Sequence, residues 1–338
     1  MEYIGTQKPR KNSKKPAHKR YKHCTAEEAQ QFKRANGVLT GGIHTASFFL
    51  PGVYLIADQL PPDRANREIS SLYTNRGGTT MKFNPNKYRG ACESMDEYQW
   101  IKETVLMNLR YEGVCETNRV DFKIDSNPPP QACAFWEKVC DLFVYAFMEY
   151  KGIKVKGRER TTDPFTGLHK QTKGSTKGFE FVHYNKAVQK PAEGVGHRIE
   201  LRRKAMNDSK SRNRLGELDA INSLKQVVAA LPAYYESAVS MQLERLCAEY
   251  GAIRPTATTP RSPAEFLRAR GESVFNRQQV AAFAEKINIP NPARFSYNFA
   301  QRNPAVVFVS QSDLVKLCAV IGDMLDAYLQ GTAAHSIY

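Results

Sequence analysis

The sequence predicts an α+β protein: an antiparallel sheet covered by helices, with a helical C-terminal region. Three stretches alternate apolar and polar residues with a period of two, NRVDFKIDS (118–126), GFEFVHYNK (178–186) and HRIELRR (197–203). Two others, YQWIKETVLMNLR and ACAFWEKVCDLFVYAFMEYK, repeat their apolar residues at helical spacing. Beyond Met206 the alternation stops and only helical periodicity continues.

The chain has 338 residues, enough for two ordinary domains or one large one with extensions. Its formal net charge of +15 favours an extended polyanion as partner and predicts salt-sensitive binding to phosphate backbones. RNA and acidic membrane surfaces are compatible with the same charge. No run approaches the roughly eighteen apolar residues of a membrane span, and the N-terminal stretch is charged where a signal peptide is apolar. A cytoplasmic protein without a membrane partner is therefore expected. The seven cysteines are scattered without a CxxC pair, which predicts reduced thiols and argues against a structural zinc site.

Residues 8–22, KPRKNSKKPAHKRYK, have no apolar period, so residues 1–24 are expected to form a disordered basic arm. Such an arm suits phosphates, a solubilising tail or a localisation signal equally. Thr25 followed by Ala-Glu-Glu reads as an N-cap and first helical turn. Residues 38–57 are rich in β-branched and aromatic side chains and predict two or three strands. There, Gly41-Gly42 is either a hairpin turn or a place of close backbone approach, and His44 reads as a packed core residue. In TTMKFNPNKYRG (79–90) a strand runs into a basic, aromatic turn. Its Lys87, Tyr88 and Arg89 suit either a grip on single-stranded DNA or an ordinary surface turn. Trp100, Ile101, Val105, Leu106 and Leu109 mark the packing face of the helix that follows.

In the strand at 118–126, Val120, Phe122 and Ile124 face the core, while Arg119, Asp121, Lys123 and Asp125 take the other side. Two carboxylates on one side of a strand can share a divalent cation, or can simply belong to a solvated face. Pro128, Pro129 and Pro130 end the strand, and residues 132–151 form a deeply buried helix. After a basic, turn-rich interval that includes Lys173 and Lys177, the next strand divides into Phe179, Phe181 and His183 against Glu180, Val182 and Tyr184. A hairpin returns the chain through HRIELRR, with Arg198, Glu200 and Arg202 opposite Ile199 and Leu201.

An acidic strand, then a strand carrying a tyrosine, then a strand with Arg-x-Glu-x-Arg, resembles the rolling-circle replication initiators of phages and plasmids, both the filamentous-phage gene II type and the plasmid Rep_trans type. The match covers about residues 80–204, and MKFNPNKYRG is similar to the asparagine-led segment of the gene II type. The resemblance implies origin binding and metal-dependent nicking of one DNA strand, with the 5′ end joined to a tyrosine. Carried onto this chain, it makes Asp121, Asp125 and Glu200 ligands for Mg²⁺ or Mn²⁺ and Tyr184 the nearest candidate nucleophile, with Tyr150 and Tyr88 behind it. Lys87, Arg89, Arg119, Lys173, Lys177, Lys186, Arg198 and Arg202 become DNA contacts, and a host helicase becomes a further partner. His183 and His197 flank the motif strands and read as structural histidines, with a metal or proton-shuttle role as the alternative. The chain departs from the pattern in HKQTKGSTKG, where the Rep_trans type carries its nucleophilic tyrosine and no tyrosine stands here. It also lacks a His-hydrophobic-His triplet. A non-catalytic DNA-binding protein on the same scaffold, and a basic RNA-binding or packaging protein, are the alternatives.

An initiator-like domain is expected over 25–205, a helical appendage and linker over 206–262, and a helical C-terminal domain over 263–338. In the last, NRQQVAAFAEKINIPNPARFSYNFAQRN reads as a helix-turn-helix.

Overall fold

The computed structural model describes residues 24–54, 69–75, 77–89, 92–113, 115–153, 160–162, 170–189, 194–205, 207–208, 211–212, 215–253 and 262–331. The basic arm at 8–22 and most of the proline-rich linker lie outside them.

Thr25 caps α1 (Ala26–Ala35), as the sequence predicts, and does so in a reciprocal box with Glu28. The next stretch is one long strand, β1 (Leu39–Pro51), instead of two or three. Gly41 and Gly42 lie within it. A Cβ on Gly42 would sit 2.3 Å from the Cys92 carbonyl oxygen, and one on Gly41 would sit 2.7 Å from the Met324 methyl, so the pair permits close packing and makes no turn. β2 (Ile69–Asn75) and β3 (Gly78–Phe83) form a hairpin beside β1, and the short α2 (Asn86–Arg89) follows. In α3 (Met95–Asn108) the buried residues are Met95, Tyr98, Ile101 and Val105. Ile101 and Val105 are buried and Leu106 and Leu109 pack against the core as expected, whereas Trp100 points outward, 44% exposed.

β4 (Glu116–Ser126) lies at the middle of the sheet, with Val120, Phe122 and Ile124 buried as expected. Every residue of α4 (Cys133–Lys151) from Val139 to Met148 is buried. It has the sheet on one side, where Phe143 and Phe147 stack on Phe181, and helices on the other, so it is apolar nearly all round. Gly152, at φ +59°, ends it in the left-handed conformation. β5 (Arg160–Thr162), β6 (Lys170–Ser175), β7 (Phe179–Asn185), the short α5 (Lys186–Gln189) and β8 (His197–Lys204) complete an eight-stranded sheet. Its order is β2-β3-β1-β4-β8-β7-β6-β5 and all its pairings are antiparallel. A two-stranded ribbon, β9 (Asn207–Asp208) with β10 (Ser211–Arg212), follows.

The described residues that remain form helices: α6 (Glu217–Ala230), α7 (Tyr235–Gly251), α8 (Pro263–Ala269), α9 (Arg277–Lys286), α10 (Pro292–Arg302) and α11 (Gln311–Leu329). The cores do not divide where the composition changes. α6 and the terminal α11 pack into the same core as the sheet, α3 and α4; Phe122 of β4 meets Tyr328 of α11 edge to face. A second core joins the end of α7 to α8, α9 and α10 through Leu246, Phe266, Phe283 and Phe299. Lys138 of α4 ties the two together by donating to the carbonyls of Gly271, at 2.8 Å, and Val307. Among the described residues no helix is long and apolar enough to cross a membrane.

Candidate nucleic-acid interface on the charged sheet face

Because the apolar residues of β4, β7 and β8 face the helices, their charged residues share the opposite face, and the register decides which of them meet. On β4 and β8, Asp121 lies opposite Arg202, Lys123 opposite Glu200, and Asp125 opposite Arg198. β7 sets Glu180 beside Arg202 and Tyr184 beside Arg198, and β6 brings Lys173 opposite Val182.

The three expected metal ligands thus lie on one face, and each carboxylate is engaged by a cation. Arg119 forks onto Asp121 at 2.5 and 2.7 Å. Arg198 forks onto Asp125 at 2.5 and 2.9 Å, with Lys123 3.0 Å away. Arg202 is the hub: its Nε donates to Glu200 Oε2 at 2.9 Å, its Nη1 donates to Glu180, and Nε stands 3.8 Å from Asp121. Lys204 and Lys173 also reach Glu180, at 2.8 and 3.2 Å. The Tyr184 hydroxyl donates to Glu200 Oε1 at 2.6 Å.

These groups form two layers. Asp121, Asp125, Glu180 and Glu200 are only 3–5% exposed. Most of their partners lie further out, with side chains 18% exposed at Lys123 and Arg202, 28% at Lys204, 29% at Arg119 and 43% at Lys173; Arg198 is buried. Six cations meet four carboxylates in this cluster, so the surface offered to solvent is positive.

The electrostatics follow from this layering. Burial pushes Glu180 up, but Lys204, Arg202 and Lys173 outweigh it and hold the carboxyl at about 2. Asp125 and Glu200 are likewise lowered against burial, by Arg198 with Lys123 and by Arg202 with Tyr184. At Asp121 burial wins over Arg119 and the pKa is raised. Burial and the neighbouring Glu200 raise the Tyr184 phenol.

His44 also belongs to this face. A β-bulge between Ile43 and Thr45 inserts it opposite β4, and its Nε2 lies 3.5 Å from Arg198. Burial lowers its pKa to about 4. It is therefore not a core residue, and neither it nor Glu180 was among the site residues the sequence suggested. Glu180 was findable, since it alternates onto the same side as Tyr184; the bulge that turns His44 has no sequence signal. His183 and His197 lie on the helix side, where His183 bridges Asp141 of α4 at 2.8 Å and His197 at 3.2 Å. The sheet separates them from the carboxylates.

Of the remaining candidates, Lys87 and Lys177 are exposed on α2 and in the β6–β7 turn, whereas Lys186 is buried. The side chains of Tyr88 and Arg89 lie outside the described residues. Tyr150 packs edge to face on Tyr234 on the helix side. Among the described residues no three His, Cys, Asp or Glu side chains are set to hold one metal ion. An ion at Asp121, Asp125 and Glu200 has to displace the guanidiniums that span them, so as arranged these residues do not fit one.

No family model matches this chain, and no curated protein matches it. Among solved structures, the rolling circle replication initiator protein from Geobacillus stearothermophilus is similar to it at 11% identity and a TM-score of 0.25, over 70% of this chain and 97% of that one.

Proposed function

We propose that this chain is a DNA-binding protein of the replication-initiator kind that holds a DNA strand across the charged face of its sheet. The observation that carries the reading is the layering of cations over buried carboxylates, which leaves Arg119, Lys123, Lys173, Arg202 and Lys204 outermost on one face. Carboxylates beneath them fix where each cation stands, and such a preset array suits regularly spaced phosphates. The net charge of +15 and the motif resemblance point the same way.

A second, finer reading makes the protein a nicking-joining enzyme with Tyr184 as nucleophile. One contact favours it: the hydroxyl already donates to Glu200 at 2.6 Å, and Arg202 orients that carboxylate. The tyrosine oxygen would attack the phosphorus and pass its proton to Glu200, while the 3′ oxygen leaves and takes up a proton, so that the 5′ phosphate stays on the tyrosine. In the resting arrangement the proton stays on Tyr184, because burial raises the phenol while Arg202 lowers Glu200. Cleavage on this reading therefore requires a bound phosphate to draw Arg202 off Glu200 while Arg198, whose charge lowers the phenol, stays beside Tyr184.

Incubation with single-stranded and supercoiled DNA in Mg²⁺ or Mn²⁺, followed by denaturing electrophoresis, separates the two readings. A nickase leaves an adduct that resists denaturation and vanishes in Tyr184→Phe. Retarded DNA without an adduct leaves DNA binding alone. Preference for RNA over DNA of the same sequence would remove both.

A further inference from the structure

The charged sheet face makes no use of α9 and α10. We propose that α10 is a base-reading helix that enters the major groove of duplex DNA and gives the protein sequence preference. This rests on the DNA-binding reading above and adds a second, separate contact with a different form of DNA.

Asn288, at φ +58°, closes the end of α9, where the Ile289 amide donates to the Ala284 carbonyl at 2.8 Å. Asn291, at φ +54°, then caps α10 by accepting from the Arg294 amide. Two residues in the left-handed conformation three positions apart set the path between the helices. Ser296 Oγ donates to the Arg277 carbonyl at 2.7 Å and Phe299 is buried in the second core, so one side of α10 is fixed against α9.

That docking decides what faces out. Arg294, Tyr297, Asn298, Gln301 and Arg302 follow the i, i+3, i+4, i+7, i+8 spacing of a single helix face; Asn298 is half-buried and the other four are exposed. Arginine, asparagine and glutamine are the side chains that pair bidentately with guanine and adenine edges in the major groove. α10 has no acidic residue to repel phosphates, and Arg277, the first residue of α9, lies over the Tyr297 ring at 5.4 Å and adds a cation there. Eleven residues at about 1.5 Å each give α10 a length of roughly 16 Å, enough to cross a groove about 12 Å wide.

The test uses the full chain and two probes. The first is selection from a duplex library with a randomised core, followed by affinity for the enriched duplex and for a scrambled one. The second is a single-stranded dT 20-mer, which the sheet face is expected to hold. The expected result is an enriched sequence whose preference over the scrambled duplex falls about tenfold or more in Arg294→Ala and in Gln301→Ala, with dT affinity unchanged. Arg294→Lys keeps the charge and loses the bidentate fork, so it should keep affinity for the scrambled duplex and lose the preference. No enriched sequence, or a preference retained in the alanine variants, overturns the role of α10. Loss of dT binding by sheet-face variants, or its absence from the start, bears only on the sheet reading.

Discussion

Removing the hub of the charged face should cost the fold more at neutral pH than in acid. Arg202→Met deletes the guanidinium that meets Glu180, Glu200 and, at 3.8 Å, Asp121, and leaves these carboxylates buried. Breaking one side of a buried ion pair costs about 3–5 kcal/mol. Glu180 keeps Lys204 and Lys173, and Arg202 itself is partly exposed, so the lower end of that range, about 3 kcal/mol, is expected. Glu180 is held at about 2 when folded, against about 4.3 when unfolded, by Lys204, Arg202 and Lys173 together, so Arg202 supplies only part of that lowering. Both Glu180 and Glu200 are lowered on folding, so their stabilisation is present above about pH 4.3 and is lost as the pH falls through their folded values. The difference between wild type and variant should therefore be full at pH 7 and narrower at pH 3.5. Urea unfolding followed by far-ultraviolet circular dichroism at both values measures it. A difference below about 0.5 kcal/mol at pH 7, or one that widens on acidification, would refute the buried-carboxylate account.

Other consequences can be checked singly. Tyr184→Phe removes a 2.6 Å hydrogen bond to a charged partner and should cost about 1.5–3 kcal/mol by the same denaturation assay, whether or not the protein cleaves DNA. Gly42→Ala places a methyl 2.3 Å from a backbone carbonyl and should lower stability by about 1–3 kcal/mol, read as a drop in melting temperature. His197 is lowered to about 4 by burial and by its neighbour His183, so the stability it contributes is fully present above its unfolded value of about 6.5 and is lost as the pH falls toward 4; ring-nitrogen NMR should show the folded side chain uncharged at pH 5.5. Lys173→Ala, at the most exposed cation of the face, should weaken single-stranded DNA binding and reduce the slope of log affinity against log salt by about 0.7.

The alternation in residues 118–126, 178–186 and 197–203 was enough to place Val120, Phe122, Ile124, Phe181, Ile199 and Leu201 in the core and the charged residues on the far side. The α+β architecture followed, because strands apolar on one face need helices to cover them. Strand pairing was not legible in the same way. That Asp121 meets Arg202, and Asp125 meets Arg198, depends on a register between residues about 75 apart, which no local pattern encodes. Without it the carboxylates read as metal ligands or a solvated face, when in fact arginines cover them. That α6 and α11 share the core of the sheet was not legible for a related reason: they have ordinary amphipathic sequences, and nothing in them says which apolar surface they will cover. Trp100 was assigned inward because it falls at helical spacing with Ile101 and Val105; those two are buried as expected, but Tyr98 takes the place beside them and Trp100 faces out.

A photo-crosslinking experiment tests the central claim most directly. A bromodeoxyuridine 20-mer bound to the full chain, irradiated and digested, should leave nucleotide adducts on peptides spanning 119–125, 171–184 and 198–204, the rows of the charged face. Adducts confined to other peptides, with none from those three stretches, would contradict it.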